Sequence, residues 1–341
     1  MKEVPIREAI GMALAHDLTQ IIPGEFKGAR FVKGHIVRED DIETLLGMGK
    51  RHLYVVEKGG SDVHEDDAAL RIASAAAGRG IRLSGPREGK IELIADADGI
   101  LKVDLPMLSR LSEQDEIMFA SIHGNQRVRA GDKLAATRVI PLFVSEGVVE
   151  GAERACREGG GAMLDIVPLR SMRAGLVITG SEVYSGRVED AFGPVLEGKF
   201  AELGSSVTER ILADDDEDMI AGAIGGLIAR GAEIVAVTGG MSVDPDDRTP
   251  SGIRKAGGEL VSYGAPVIPG AMFLLAYIGD VPVVGLPGCV MYSRVSVFDL
   301  LVPRLLAGER LTRGDVKKLA HGGLCLGCDL CSWPKCGFGK S

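Results

Sequence analysis

The chain has 341 residues, 47 of them glycine and only 4% aromatic, with a formal net charge of −9. This length suggests two or more domains with room for a sizeable core, and the acidic balance argues against a basic nucleic-acid stripe. No apolar run reaches the ~18 residues of a membrane span; the opening MKEVPIREAIGMALAHDL lacks a signal-type core, so a cytoplasmic protein is expected.

Residues 1–58 read as a compact α+β unit. In KGARFVKGHIVREDDIETLLGMGKRHLYVVE the order is strand, turn, helix, strand. Ile42, Leu45 and Leu46 fall on one helical face, Gly47 and Gly49 end that helix, and Leu53–Val56 forms the strand. The polar segment 57–67 reads as a boundary or loop. Residues 59–168 form a second, mixed helical and β region. An Ala-rich helix is expected over 68–82. IELIADADGILKVD reads as a hairpin, two apolar runs around Asp-Ala-Asp-Gly, and VRAGDKLAATRVIPLFV as further β structure.

From Arg173 the rhythm changes, and 169–310 reads as one α/β domain. Gly175–Thr179, Ile234–Val237 and Pro282–Gly285 are uninterrupted runs, as expected of strands buried on both faces. Between them lie helical faces: Leu196, Phe200 and Leu203; Ile220, Ile224 and Leu227 in a helix at 217–230; and a last helix at 291–306. The fold class expected is α/β, a doubly wound and mostly parallel sheet, preceded by smaller α+β regions. Residues 311–341 form a short, Gly-rich, Cys-rich tail.

Open α/β sheets bind ligands beyond the carboxyl ends of their strands. Four loops occupy such places: TGSEVYSGRVED (179–190), ILADDDEDM (211–219), TGGMSVDPDDRTP (238–250) and GLPGCVMYS (285–293). Each suits backbone amides approaching an anion, or oxygen ligands holding a hard cation. Taken singly, each also reads blandly. Gly-Gly is a common turn, Asp214–Asp216 suits helix capping, and Leu286-Pro287-Gly288 suits plain helix entry. Four such loops on one edge are the signal.

VTGGMSVDPDDRTPSGIRKAGG, SGRVEDAFGPVLEGKFAELG and GLPGCVMYSRVSVFDLLVPRL resemble the molybdopterin-binding domain of molybdenum-cofactor biosynthesis proteins, over about 174–308. SGRVEDAFGPVL and DRTP look like the adenylyltransferase branch, which activates molybdopterin with ATP. KGHIVREDDIETLLGMGKRHLYVVE is similar to the molybdenumtransferase branch, which inserts molybdate into adenylated molybdopterin. The resemblance implies catalytic roles for Asp215, Asp247 and Glu182, with Asp214 as a register alternative to Asp215. It also implies ligand binding by Thr179, Gly180, Ser181, Thr238, Gly239, Gly240, Ser242, Gly285, Pro287 and Gly288. Asp215 and Asp247 would hold Mg2+, and the amides of Gly239, Gly240 and Gly288 would meet phosphate oxygens. Arg187 or Arg248 would neighbour molybdate, while Asp244 and Asp246 solvate the turn. Two departures stand out. Where the molybdenumtransferase branch has Gly-Asp-Glu, this chain has Gly180-Ser181-Glu182; Cys289-Val290 replace the usual asparagine-proline.

The implied activity is molybdate insertion with AMP release. The alternatives are adenylyl transfer, a non-catalytic molybdopterin carrier or sensor, and nucleotide processing of the competence/damage-inducible type. Implied partners are molybdopterin, adenylated molybdopterin or ATP, molybdate, a molybdoenzyme or another cofactor-biosynthesis protein, and further copies of the chain. Neither nucleic acid nor membrane is expected. In the tail, Cys325-x2-Cys328-x2-Cys331-x4-Cys336 places four thiols close together, a spacing suited to an iron–sulfur cluster or to zinc. Cys156 and Cys289 read as packed thiols, and the six scattered histidines as surface or structural residues.

Overall fold

In the computed structural model, residues 2–56, 62–242, 244–245 and 247–340 are described. Of the expected boundary at 57–67, residues 57–61 lie outside, as does Asp246, while the rest is the strand Asp62–His64 and the start of the helix at Glu65 rather than loop.

The N-terminal unit follows the expected order. The strand Phe26–Phe31, the helix Ile42–Gly47 and the strand His52–Val55 occur in sequence. His52–Val55 pairs antiparallel with Lys2–Pro5. Ile42, Leu45, Leu53 and Val55 meet Val4, Leu14 and Phe31 in a small core.

The middle region departs from expectation at two points. IELIADADGILKVD does form two strands, Lys90–Ala95 and Gly99–Val103, but they do not pair as a hairpin. Lys90–Ala95 lies between Ile81–Leu83 and Lys133–Val139 in one sheet. Gly99–Val103 lies between Gln126–Val128 and Leu164–Val167 in another. Packing explains the split. A Cβ on Gly99 would sit 2.5 Å from the carbonyl oxygen of Val167, so the backbone is committed to that distant strand. The Ala-rich helix runs from Glu65 to Ala76, shorter than expected, and Ile81–Leu83 is strand.

The α/β domain is built on a six-stranded sheet: β1 (Arg173–Thr179), β2 (Ser206–Ala213), β3 (Ile234–Thr238), β4 (Glu259–Tyr263), β5 (Leu274–Ile278) and β6 (Val281–Leu286), in the order β2-β1-β3-β6-β5-β4. The first four in that order run parallel. β5 and β4 are antiparallel, so the mostly parallel sheet carries a mixed edge. The cause is local: β5 and β6 join through Gly279-Asp280, and Gly279 adopts φ 58°, the left-handed geometry of a tight hairpin.

Alternation along the strands sorts side chains onto two faces. Leu176, Ile178, Ala236, Val284 and Leu286 pack under α1 (Phe192–Glu202) and α4 (Val297–Leu306), where Phe200 and Phe298 meet edge-on at 5.4 Å. Val177, Val235, Val237 and Val283 face α2 (Glu217–Ala229) and α3 (Thr249–Lys255) through Ile220, Ile224, Leu227 and Ile253. β2 is a solvent-facing edge whose charges are paired: Glu209 with Arg230 at 2.6 Å, and Arg210 with Asp190 at 3.1 Å.

The tail joins the first of these cores. Val316, Leu319 and Phe338 are buried with α4, and Trp333, Cys325 and Cys336 pack against it. The middle region is tied to the same domain. Lys102 pairs with Glu309, and Arg127 Nη2 donates to the Glu202 carbonyl at 2.7 Å. Among the described residues, no helix is long and apolar enough to cross a membrane.

Candidate functional site

The parallel pairing fixes where the chemistry can gather. Thr179 ends β1 opposite Ala213 of β2, Ile178 lies opposite Thr238 of β3, and Thr238 lies opposite Leu286 of β6. Four carboxyl ends therefore open onto one edge, and the four glycine- and aspartate-rich loops leave from it together.

Loops one and two are cross-linked. The backbone N–H of Ser181 donates to Asp215 Oδ2 at 2.9 Å, and its hydroxyl donates to the Asp214 carboxylate. The Ser181 hydroxyl bond, followed by the Asp215 N–H, holds Asp214 below the usual carboxylate range. Asp216 does something else: it caps α2, accepting from the Met219 N–H at 2.8 Å. The three consecutive aspartates thus divide, one for capping and two for the site. Glu182 is exposed on the one-turn helix Ser181–Tyr184. Its carboxylate folds back over Gly180, with Oε1 3.0 Å from where a Cβ on that glycine would be.

Loops one and three touch through their backbones. Gly239 adopts φ 92°, and a Cβ there would lie 2.1 Å from the Thr179 carbonyl oxygen, so only glycine allows this approach. Thr249, fully buried at the start of α3, holds the arrangement. Its hydroxyl donates to the Gly239 carbonyl at 2.9 Å and its N–H to the Gly240 carbonyl at 3.3 Å. That hydroxyl proton is then spent, so the Thr179 hydroxyl, 3.2 Å away, donates to Thr249 Oγ1. Sequence reading treated Thr249 only as a flank of the acidic turn; the Thr-Pro pair at a helix start was the available signal. Asp190 was also missed. It accepts from the N–H groups of Phe192 and Gly193 at 2.8 and 3.0 Å, setting the start of α1.

Asp247 closes the far side of loop three. Its carboxylate accepts from the Asp244 N–H at 3.0 Å, and its own N–H donates to the Asp244 carbonyl at 3.0 Å. Ser242 is exposed, and its carbonyl accepts from the Tyr263 hydroxyl at 3.3 Å. Burial, then the negative charge of Asp247, push the Tyr263 phenol above its ordinary value. Arg248 leans on Glu217 at 3.6 Å, and Arg187 uses its backbone to bond the Glu182 carbonyl. In loop four, Gly285 and Pro287 are buried and Gly288 is exposed. A Cβ on Gly285 would meet Met241 at 2.7 Å, which presses loops three and four together.

Among the described residues, two polar atoms at this edge are buried without a partner: Asp215 Oδ1 and Thr238 Oγ1. Buried polar atoms normally have partners, so two orphans on adjoining strand ends mark a place for a ligand's own polar groups. Among the described residues, no three His, Cys, Asp or Glu side chains gather as a metal group. Mg2+ needs no such cage; it keeps waters and takes one or two carboxylates plus phosphate oxygens. Asp215 Oδ1, a hard oxygen without a partner among the described residues, fits that donor set.

Residues 175–307 match a family described as a probable molybdopterin binding domain, and residues 3–57 match a domain of unknown function. The CinA-like proteins of Mycobacterium avium and Mycobacterium tuberculosis are 36% and 35% identical over 92 residues, 27% of this chain and 21% of each relative. The chain thus spans about a fifth of the length of the curated relatives it matches. The molybdopterin biosynthesis enzyme MoaB of Thermus thermophilus is similar over 40% of this chain and 98% of that one, at 19% identity and a TM-score of 0.35. The tungsten cofactor synthesizing protein MoaB of Pyrococcus furiosus is similar over 41% and 98%, at 19% identity and 0.34. The match to the molybdopterin-binding domain family is confined to residues 175–307, the part of the chain that carries the four loops on one sheet edge.

Proposed function

We propose that this edge binds adenylated molybdopterin and serves molybdate insertion with release of AMP. The observation that carries the reading is the pair of orphaned atoms, Asp215 Oδ1 and Thr238 Oγ1, inside a domain of the molybdopterin-binding family. A phosphate-bearing ligand brings oxygens that Thr238 can donate to. Asp215 is an acceptor only and repels those oxygens unless a cation lies between them. Bound Mg2+ would supply that bridge and polarise the phosphoryl group. Asp215 and Asp247 would hold it. Gly239, Gly240 and Gly288 are bare enough for the phosphates to reach backbone N–H groups. Glu182 and Ser181 line the approach on the first loop. Ser181 keeps the Asp215 carboxylate oriented by occupying only Oδ2.

One observation favours a second reading, a molybdopterin carrier. The residue at 181 contributes no carboxylate, and its hydroxyl is spent on Asp214. Incubating the protein with adenylated molybdopterin, Mg2+ and molybdate decides between the two. AMP release that requires molybdate is expected. Tight binding without AMP release would replace insertion by the carrier reading, and pyrophosphate release from ATP and molybdopterin would replace it by adenylyl transfer. No binding of either pterin would sink the proposal.

A further inference from the structure

The tail does not dangle. Its two ends are pinned by backbone bonds: Cys325 N–H to the Ile268 carbonyl and Ile268 N–H to the Gly323 carbonyl, both 2.8 Å, and Gly339 N–H to the Gly322 carbonyl at 2.9 Å. Glycine is required at these anchors. A Cβ on Gly322 would lie 2.2 Å from the Lys340 carbonyl oxygen, one on Gly323 2.1 Å from that of Pro266, and one on Gly339 2.3 Å from Leu300. Residues 325–338 therefore form a loop closed at its base before anything binds within it, and its closure entropy is already spent.

That closed loop frames a cavity of about 590 Å³, and Cys325, Cys328, Cys331 and Cys336 all line it. All four are free thiols. The wall is otherwise largely apolar, with Arg294 and Asp329 as its charged members and Trp333 across it. Although they share one cavity, the thiols are not drawn together as a metal group. A single zinc ion demands four sulfurs about 2.3 Å from one point. Thiols spread around a cavity suit a polynuclear centre better, because each sulfur then meets a different iron. The Cys-x2-Cys-x2-Cys spacing is the one with which short ferredoxin segments wrap such a centre.

We propose that Cys325, Cys328, Cys331 and Cys336 hold a [4Fe–4S] cluster in the cavity between the tail and the segment Ser293–Val295. Each thiol gives up its proton as its sulfur binds iron. Arg294 offsets part of the negative charge that four thiolates bring. Ser293–Val295 continues the fourth loop of the sheet-edge site, so the cluster sits beside that loop without sharing residues with the phosphate-facing positions. The inference is independent of the molybdopterin reading.

The test is anaerobic purification of the full chain, followed by metal and sulfide analysis. About four iron and four acid-labile sulfide per chain are expected, with broad visible absorbance that bleaches on reduction. Cys328→Ser and Cys331→Ser, at exposed positions, are expected to lose the iron and keep the wild-type circular dichroism. Cys289→Ser, outside the tail, is expected to keep both. Zinc in place of iron, no metal at all, or iron retained in both tail variants would each overturn the cluster.

Discussion

The sheet edge and the cysteine loop are both glycine-rich and both border the first apolar core, yet they are held differently. At the edge, side chains of one loop bond the next: Ser181 to Asp214 and Asp215, and Thr249 to Gly239 and Thr179. In the tail, backbone bonds pin the base and the four thiols are left unlinked. A site whose loops bond one another has its geometry set by folding. A site fixed only at its base leaves its final arrangement to what it binds.

The largest expected break comes at Asp215. Asp215→Asn keeps an acceptor for Ser181 but removes the charge, and a loss on the order of a hundredfold in molybdate-dependent AMP release is expected. The same variant leaves the iron content of the tail unchanged, which metal analysis checks. Next is Thr249→Val. It strands the Gly239 carbonyl and the Thr179 hydroxyl inside the protein, at a cost of about 1–3 kcal/mol for each unpaired buried group. Urea denaturation reads that loss; no change in midpoint would mean the loops are not coupled through Thr249. Ser181→Ala removes one exposed hydroxyl bond, worth about 1 kcal/mol, and should weaken pterin binding by less than tenfold in calorimetry.

The smallest effect separates both sites from the rest of the chain. Glu65, at the start of the middle-region helix, is pushed by burial, and then by Asp66, from its ordinary 4.5 up to about 7. A raised carboxyl binds its proton in the folded state while the unfolded chain has released it. Stability contributed by Glu65 is therefore fully present below about pH 4.5 and declines as pH rises towards 7. Glu65→Gln should flatten that slope in denaturation curves without changing pterin binding or iron content. An unchanged slope would assign the pH dependence elsewhere.

Much of the edge is legible from sequence because buried parallel strands are continuous apolar runs with loops of special composition at their ends. Gly175–Thr179 and Ile234–Val237 announce themselves this way. β2 does not: exposed polar and charged residues such as Thr208 and Arg210 interrupt its half-buried positions, so no continuous run appears. β5, Leu274–Ile278, is apolar, but its antiparallel direction follows from the Gly279 turn rather than from composition. The false hairpin at 91–103 fails for a related reason. Turn chemistry at Asp96–Gly99 is local, whereas the partners of Gly99–Val103 are the downstream strands Gln126–Val128 and Leu164–Val167. Within the site, carboxylates and glycines stand out by type. Thr249 and Asp190 act through bonds that only the folded loops create.

The edge strand β2 has a consequence for how copies of this chain can meet. An open sheet edge invites another strand to add to it, the route to fibres and to runaway association. Here Glu209 and Arg210 stand on that edge, each engaged by a partner from its own domain. Adding a strand would bury or displace those ion pairs, so the sheet is capped against growth on this side. Association of this chain with further copies is therefore not expected to run through β2.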